Sequence, residues 1–216
     1  MTDRANEIER VDASSLNGGR AALANEALDA TVYSLASGHA NGRVNGGSTA
    51  VEAGITIPDN CAEVLKHTAN PTSLDALTKS SNEQLECLYH EAKPGTIPHG
   101  STDGKAIVMP GSLVGKVLSD LGDAVWGGKV FDQHGGLLNR ILGQHIIAAE
   151  VSRGQSWLDG KPSTIIDYKN TSLAAGWIRD EIREVNPGLY LGVAYARLPV
   201  GHAPALFFAL DNTKHK

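Results

Sequence analysis

WIRDEIREVNPGLYLGVAYAR, residues Trp177 to Arg197, holds two runs rich in β-formers, WIRDEIREV and LYLGVAYAR, separated by Asn186-Pro187-Gly188. A connection this short joins antiparallel strands, because a parallel pair needs a crossover of about a dozen residues or more. The same grammar extends outward on both sides. VWGGKVF (Val125–Phe131), HIIAAEV (His145–Val151), STIIDY (Ser163–Tyr168) and ALFFAL (Ala205–Leu210) are short apolar runs, and Gly154, Asp159-Gly160 and Gly201 punctuate them. Residues 125–211 therefore predict one antiparallel sheet, curled into a barrel or half-barrel. The class is α+β, with two or three helices packed on the sheet.

The helices are expected ahead of the sheet. Leu74, Leu77, Leu85, Leu88 and Tyr89, with Ser81 and Gln84 spaced as a capping box, predict one broken or two short helices over 74–92 that stop at Lys93-Pro94-Gly95. A loop follows to Gly111, carrying a short strand at Ala106–Met109, and Ser112 is placed to cap a helix through Ala124. Residues 1–70 read as a separate arm, rich in small residues. Leu23, Leu28, Val32 and Leu35 suggest a helix over 20–36, and Asn60 with Glu63 resembles a second capping box; a disordered tail is the alternative. Residues 71–216 are expected to form the helix-plus-barrel domain.

Composition excludes several classes of function. The net charge of −5 and the lack of a Lys/Arg cluster argue against a nucleic-acid partner, which needs concentrated positive charge. No stretch approaches the roughly 20 apolar residues of a membrane span. The opening MTDRANEIERVDASS lacks the order of a secretory signal, so a cytoplasmic location is expected, with Cys61 and Cys87 as free thiols. No metal-ligand spacing, phosphate loop, dinucleotide fingerprint or nucleophile elbow occurs, so neither a metal nor another cofactor is expected.

The chemistry-bearing residues lie in the sheet. With period 2, Trp177–Val185 places Arg179, Glu181 and Arg183 on one face and Ile178, Asp180, Ile182 and Glu184 on the other. Whichever face turns inward carries ionised groups into low dielectric, where they need partners. Asp180 and Glu184 are accordingly candidate general acids or bases, with His145 as a third proton carrier. Arg179, Arg183 and Tyr168 are candidates to anchor the polar end of a ligand, and Trp126 and Tyr190 to line its apolar part. The plainer alternatives are a solvated edge strand, a rim histidine and aromatic core packing.

The order W-x-G-K-x-F (Trp126, Gly128, Lys129, Phe131), L-L-x-R (Leu137, Leu138, Arg140), D-x-x-P-x-x-I-I-D (Asp159, Pro162, Ile165, Ile166, Asp167), Tyr190-Leu191-Gly192 and Phe207-Phe208 resembles the bacterial GXWXG-motif proteins and their following domain of unknown function. The likeness runs over residues 74–211. The GXWXG signature is itself absent, since the corresponding stretch reads GTIPHGSTDG, and Tyr168 stands where that family leads one to expect histidine. The resemblance implies a lipocalin-like, calycin-type barrel and carries no catalytic role. Three functions stay open: binding of a small apolar or amphipathic molecule; a cofactor-independent isomerase, cyclase, dehydratase or lyase; and a scaffold whose arm meets a partner, a second copy in a homodimer included.

Overall fold

The turn at Asn186–Leu189 joins two long antiparallel strands, and the rest of the sheet is laid down on either side of them in hairpin steps. In this computed structural model the described residues are 55–107, 126–173 and 175–215. All of them fall in the second of two units, Met1–Asn41 and Gly42–Lys216. Three short helices come first: α1 Cys61–Lys66, α2 Leu74–Thr78 and α3 Asn82–Glu91. The strands are β1 Gly100–Ser101, β2 Asp103–Ile107, β3 Trp126–Phe131, β4 Gly136–Ile141, β5 Gln144–Gln155, β6 Pro162–Asp167, β7 Ile178–Asn186, β8 Leu189–Arg197 and β9 His202–Asp211. They form one sheet in the order β1-β3-β4-β5-β6-β7-β8-β9-β2, with every pairing antiparallel.

The two ends of that order, β1 and β2, are separated in the chain by Thr102 alone. The sheet therefore curves until its ends run into one another. At the junction the Thr102 backbone N–H and hydroxyl both donate to the Lys129 carbonyl at 2.8 Å, and the Lys129 N–H donates back to the hydroxyl at 3.1 Å. Such close approach of two backbones requires glycine. Gly128 has φ +124°, and a Cβ there would stand 2.2 Å from the Thr102 carbonyl oxygen; a Cβ on Gly104 would meet the Gly128 Cα at 2.7 Å.

Two apolar layers result. Inside the curve lie Phe131, Leu137, Ile166, Tyr168, Ile182, Tyr190, Leu206, Phe208 and Leu210. On the outer face of β8 and β9, Leu191, Val193, Tyr195 and Phe207 pack beneath Leu77, Leu85 and Tyr89 of the helices. Buried on both faces, β8 is a continuous apolar run rather than an alternating one. The helix starts follow the cap chemistry. Ser81 and Gln84 form the reciprocal capping box, and Ser73 caps α2 through the Ala76 N–H.

Some expectations are corrected. Asn60 is the N-cap of α1 but its side chain makes no cap hydrogen bond, since its backbone (φ −100°, ψ 23°) is not in the extended conformation of a side-chain cap, and Glu63 pairs instead with Lys66 and His67. Gly136–Ile141 is a full strand, although its LLNR was not read as one. Ile55 is buried in the outer layer, so packing begins ahead of the expected boundary at residue 71. The helices expected over 20–36 and 112–124, and the end of the strand at Ala106–Met109, lie outside the described residues.

Cys61 and Cys87 are not free thiols; they form a disulfide that ties the first residue of α1 to the buried face of α3. The expectation rested on compartment, whereas α1 and α3 bring the two Cα atoms to 5.0 Å, within bridging range. At a sequence separation of 26, closing this loop in the unfolded chain stabilises the fold by about 3 kcal/mol in the chain-entropy model. Reduction, or a Cys61→Ser/Cys87→Ser double variant, is expected to lower the unfolding free energy by about that amount. Urea denaturation with and without reductant measures it.

Candidate functional site

The alternation of β7 holds. Ile178, Asp180, Ile182 and Glu184 share the interior side, while Arg179, Glu181 and Arg183 lie under the helices and the Gln155–Pro162 loop. Asp180 finds its partner on β3. Lys129 Nζ donates to Asp180 Oδ2 at 2.8 Å, to the Tyr168 hydroxyl at 2.6 Å and to Asn139 Oδ1 at 2.9 Å. The Tyr168 hydroxyl in turn donates to Asp180 Oδ2 at 3.0 Å, and the Trp126 indole N–H donates to Asn139 Oδ1 at 3.2 Å. Asn139 Nδ2 donates to the Tyr168 hydroxyl at 3.1 Å and to the Ile147 carbonyl at 3.0 Å. Lys129, Asn139, Tyr168 and Asp180 are each buried.

Irregularities in the sheet make this convergence possible. Trp126 and Lys129, three residues apart, would occupy opposite faces of a regular strand. The register shift at Trp126/Gly128 turns both to the interior. Likewise, the shift in the β4–β5 pairing leaves Ile147 unpaired with φ +59°, an uncommon conformation for a β-branched residue, and its carbonyl accepts from Asn139. Small residues make the space: a Cβ on Gly192 would meet the Phe208 ring at 2.3 Å, and Phe208 stands edge-to-face with Trp126 at 5.9 Å. The Lys129 ammonium lies 5.3–5.4 Å from the Trp126, Tyr168 and Phe208 ring centres.

The bonding leaves one atom over. All three Lys129 protons have acceptors, and the Tyr168 hydroxyl both donates and accepts. Both bonds to Asp180 end on Oδ2; Oδ1 accepts no hydrogen bond from the described residues. Burial, and next the negative charge of Asp180, push the Tyr168 hydroxyl well above the ordinary tyrosine range. Tyr168 is thus a neutral proton donor at physiological pH.

The other expected site residues are dispersed. Glu184 is at the far end of β7, where Oε1 accepts from the Gly188 N–H at 2.8 Å and Oε2 from the Thr96 N–H at 3.2 Å. Tyr190 is on the interior side near it and donates to the Thr96 carbonyl at 2.9 Å. His145 is exposed beside the β4–β5 turn, opposite Arg140, and belongs to no interior cluster. Arg179 and Arg183 do not face the interior. Arg179 pairs with Glu181 at 3.1 Å and covers Trp157 at 4.0 Å, and Arg183 is bidentate to Asp159. Their strand phase, set by the apolar partners Ile178 and Ile182, turns them the other way. Sequence reasoning missed Lys129 and Asn139. The available signal was alternation, since Lys129 shares a face with Phe131, and Asn139 with Leu137.

The buried tyrosines have a common consequence. Burial, followed by the charge of Glu181, raises the hydroxyls of Tyr89 and Tyr195, and burial raises that of Tyr190. A pKa higher folded than unfolded gives stability that is complete below the unfolded value, about 10, and is lost as pH climbs toward the folded value. Stability should therefore fall above pH of about 10, with tyrosinate absorbance from these residues appearing together with loss of the circular dichroism of the fold. Tyrosinate from them in a fully folded protein would contradict this.

No helix among the described residues is long and apolar enough to cross a membrane, and no cluster of three metal-ligating side chains occurs among them. No family model and no curated protein matches the chain. It is similar to a crystal structure of a protein from Thermomonospora curvata, at 20% identity with a TM-score of 0.45, over 70% of this chain and 97% of that one.

Proposed function

We propose that the protein binds a small, largely apolar molecule bearing a hydroxyl or similar hydrogen-bond donor, held inside the sheet, which we read as a calycin-like barrel. The observation that carries this reading is the Oδ1 of a buried Asp180, which accepts no hydrogen bond from the described residues, beside a Lys129 whose three protons are already engaged. A ligand anion would compete with Asp180 for Lys129, whereas a donor adds a charge-assisted bond without displacing any. The surrounding rings of Trp126, Tyr168 and Phe208 suit an apolar body.

The test compares a medium-chain alcohol with the carboxylic acid and the alkane of equal length, read by Trp126 fluorescence with Trp126→Phe as control. The alcohol should bind best, and Asp180→Asn should weaken it by about 10- to 100-fold, the worth of a hydrogen bond to a charged group. Equal binding of all three compounds, or of none, would refute the reading.

A second reading, a cofactor-independent isomerase, cyclase, dehydratase or lyase, draws on the Tyr168 hydroxyl lying between Lys129 and Asp180 at 2.6 and 3.0 Å. That arrangement suits proton transfer. Under it Tyr168→Phe would lower kcat with little change in KM. As to location, the Cys61–Cys87 disulfide favours an oxidising compartment over the cytoplasm.

A further inference from the structure

The inner face of the sheet has a second polar pole, toward the end opposite Trp126. Val151 and Arg153 on β5, Thr164 and Ile166 on β6, and Ile182 and Glu184 on β7 alternate onto that face. Residues 93–96 run beside it. Lys93 bridges to Glu184, the Thr96 N–H donates to Glu184 Oε2 at 3.2 Å, and the Tyr190 hydroxyl donates to the Thr96 carbonyl at 2.9 Å. The hairpin connections at this end, 132–135, 156–161 and 187–188, consist entirely of described residues.

Arg153 differs from the other arginines among the described residues. Arg140, Arg179, Arg183 and Arg197 each meet a carboxylate, at 2.6–3.1 Å. Arg153 donates instead to two neutral oxygens, Thr164 Oγ1 at 2.7 Å and the Gly95 carbonyl, and makes no ion pair among the described residues. These bonds orient the guanidinium without compensating its charge, and its remaining N–H groups have no acceptor among the described residues. Glu184, the carboxylate of this pole, is already held by the Gly188 and Thr96 N–H groups. The pole therefore presents an oriented, uncompensated cation, whereas Lys129 at the other pole is balanced by Asp180.

Register fixes the separation of the two poles. Asp180 lies opposite Ile166, Ile166 lies opposite Val151, and Arg153 is two residues beyond Val151 on the same face. Two strand spacings and two residues of rise put the Asp180 and Arg153 Cα atoms about 12 Å apart along the sheet. Val151, Ile166 and Ile182 form the apolar surface between them. We infer that Arg153 holds a carboxylate at one end of the ligand whose hydroxyl meets Asp180, so that the ligand class is a medium-chain hydroxy acid; the hydroxyl end rests on the function proposed above. A guanidinium with free N–H groups binds a carboxylate through charge-assisted hydrogen bonds. A single guanidinium, with Glu184 packed against the same Gly95, suits a monoanion better than a dianionic phosphate.

The experiment titrates the full chain with decanol, decanoate and ω-hydroxydecanoate at neutral pH, where carboxylic acids are ionised, and reads Trp126 fluorescence. The hydroxy acid should bind about tenfold more tightly than decanol. Decanoate should bind less tightly than decanol, because Arg153 is exposed and Asp180 is buried. Arg153→Gln should remove the margin of the hydroxy acid and leave decanol affinity unchanged, which also shows that the variant is folded. Arg153→Lys should keep part of the margin, as a point charge without a planar fork. Equal affinity for decanol and the hydroxy acid, or a margin that survives Arg153→Gln, would overturn the assignment of Arg153. Decanoate binding that Arg153→Gln weakens, together with decanol binding that Asp180→Asn leaves unchanged, would keep Arg153 as the carboxylate anchor and overturn the role of Asp180. Absence of binding by all three compounds would overturn both.

Discussion

Lys129→Met is expected to lower the unfolding free energy by about 3–5 kcal/mol, the usual penalty for removing one partner of a buried ion pair. The Asp180 side chain is only 7% exposed, so its carboxylate would keep one hydrogen bond from Tyr168 and lose its counter-charge. Asn139 Oδ1 and the Tyr168 hydroxyl each lose a donor as well. Asp180→Leu alone strands the ammonium in the same way. The Lys129→Met/Asp180→Leu double variant should recover most of the loss, since replacing a buried pair with apolar side chains of similar volume is often neutral. Urea unfolding with an unchanged slope distinguishes a stability change from a change in the denatured state. The double variant separates two roles of the pair: if it is as stable as wild type but no longer binds the donor-bearing ligand, the charges are retained for recognition. Should it bind as wild type does, the pair is a polar core device and the proposed site is wrong.

Much of this site could be read from Trp177–Val185 alone. Its charge on both faces required that one set be buried, and the greater need of Asp180 for a partner from elsewhere is met by Lys129, 51 residues away in the chain. The partner itself was hidden because β3 departs from period 2. The Gly127-Gly128 shift turns Trp126 and Lys129 to the same side, and only the Gly-Gly pair hints at it. Asn139 was hidden for a different reason. LLNRI was not expected to be a strand, so no interior face was assigned to it. Glu184 and His145 carried chemistry by residue type alone, and the structure engages the first in a turn and leaves the second in water.

The strands were legible because apolar runs separated by Gly and Pro are a local signal; β3 and β5 through β9 each overlap an expected run. Their direction followed from connection length. What local reading does not supply is how the two ends of the sheet meet. That β1 and β2 are two halves of one segment, pairing β3 on one side and β9 on the other, depends on Gly128 and Gly104 letting two backbones touch. The disulfide was likewise invisible to an argument from compartment, since it depends on which faces of α1 and α3 meet.

Arg183→Met is expected to destabilise the fold by about 3–5 kcal/mol and to leave ligand affinity unchanged, the reverse of what a ligand-anchoring arginine would do. Its side chain is fully buried, and each N–H of the guanidinium has an acceptor. Nε donates to the Pro162 carbonyl at 3.1 Å; Nη1 donates to Asp159 Oδ2 at 2.7 Å and the Tyr89 carbonyl at 2.9 Å; Nη2 donates to Asp159 Oδ1 at 2.6 Å and the Lys161 carbonyl at 3.1 Å. The group also lies over the Tyr89 ring at 4.4 Å. It thereby fastens α3 and the β5–β6 loop to the outer face of β7, with the sheet between it and Asp180. Removing it leaves the Asp159 carboxylate, 5% exposed, with His90 as its remaining side-chain partner, and three carbonyls short of a donor. Arg183→Lys should rescue little, because an ammonium has three donors and no planar fork to span both carboxylate oxygens. Ligand titration below the lowered unfolding temperature completes the test. An affinity loss for Arg183→Met comparable to that of Asp180→Asn would mean that the outer face, and not the interior, meets the ligand.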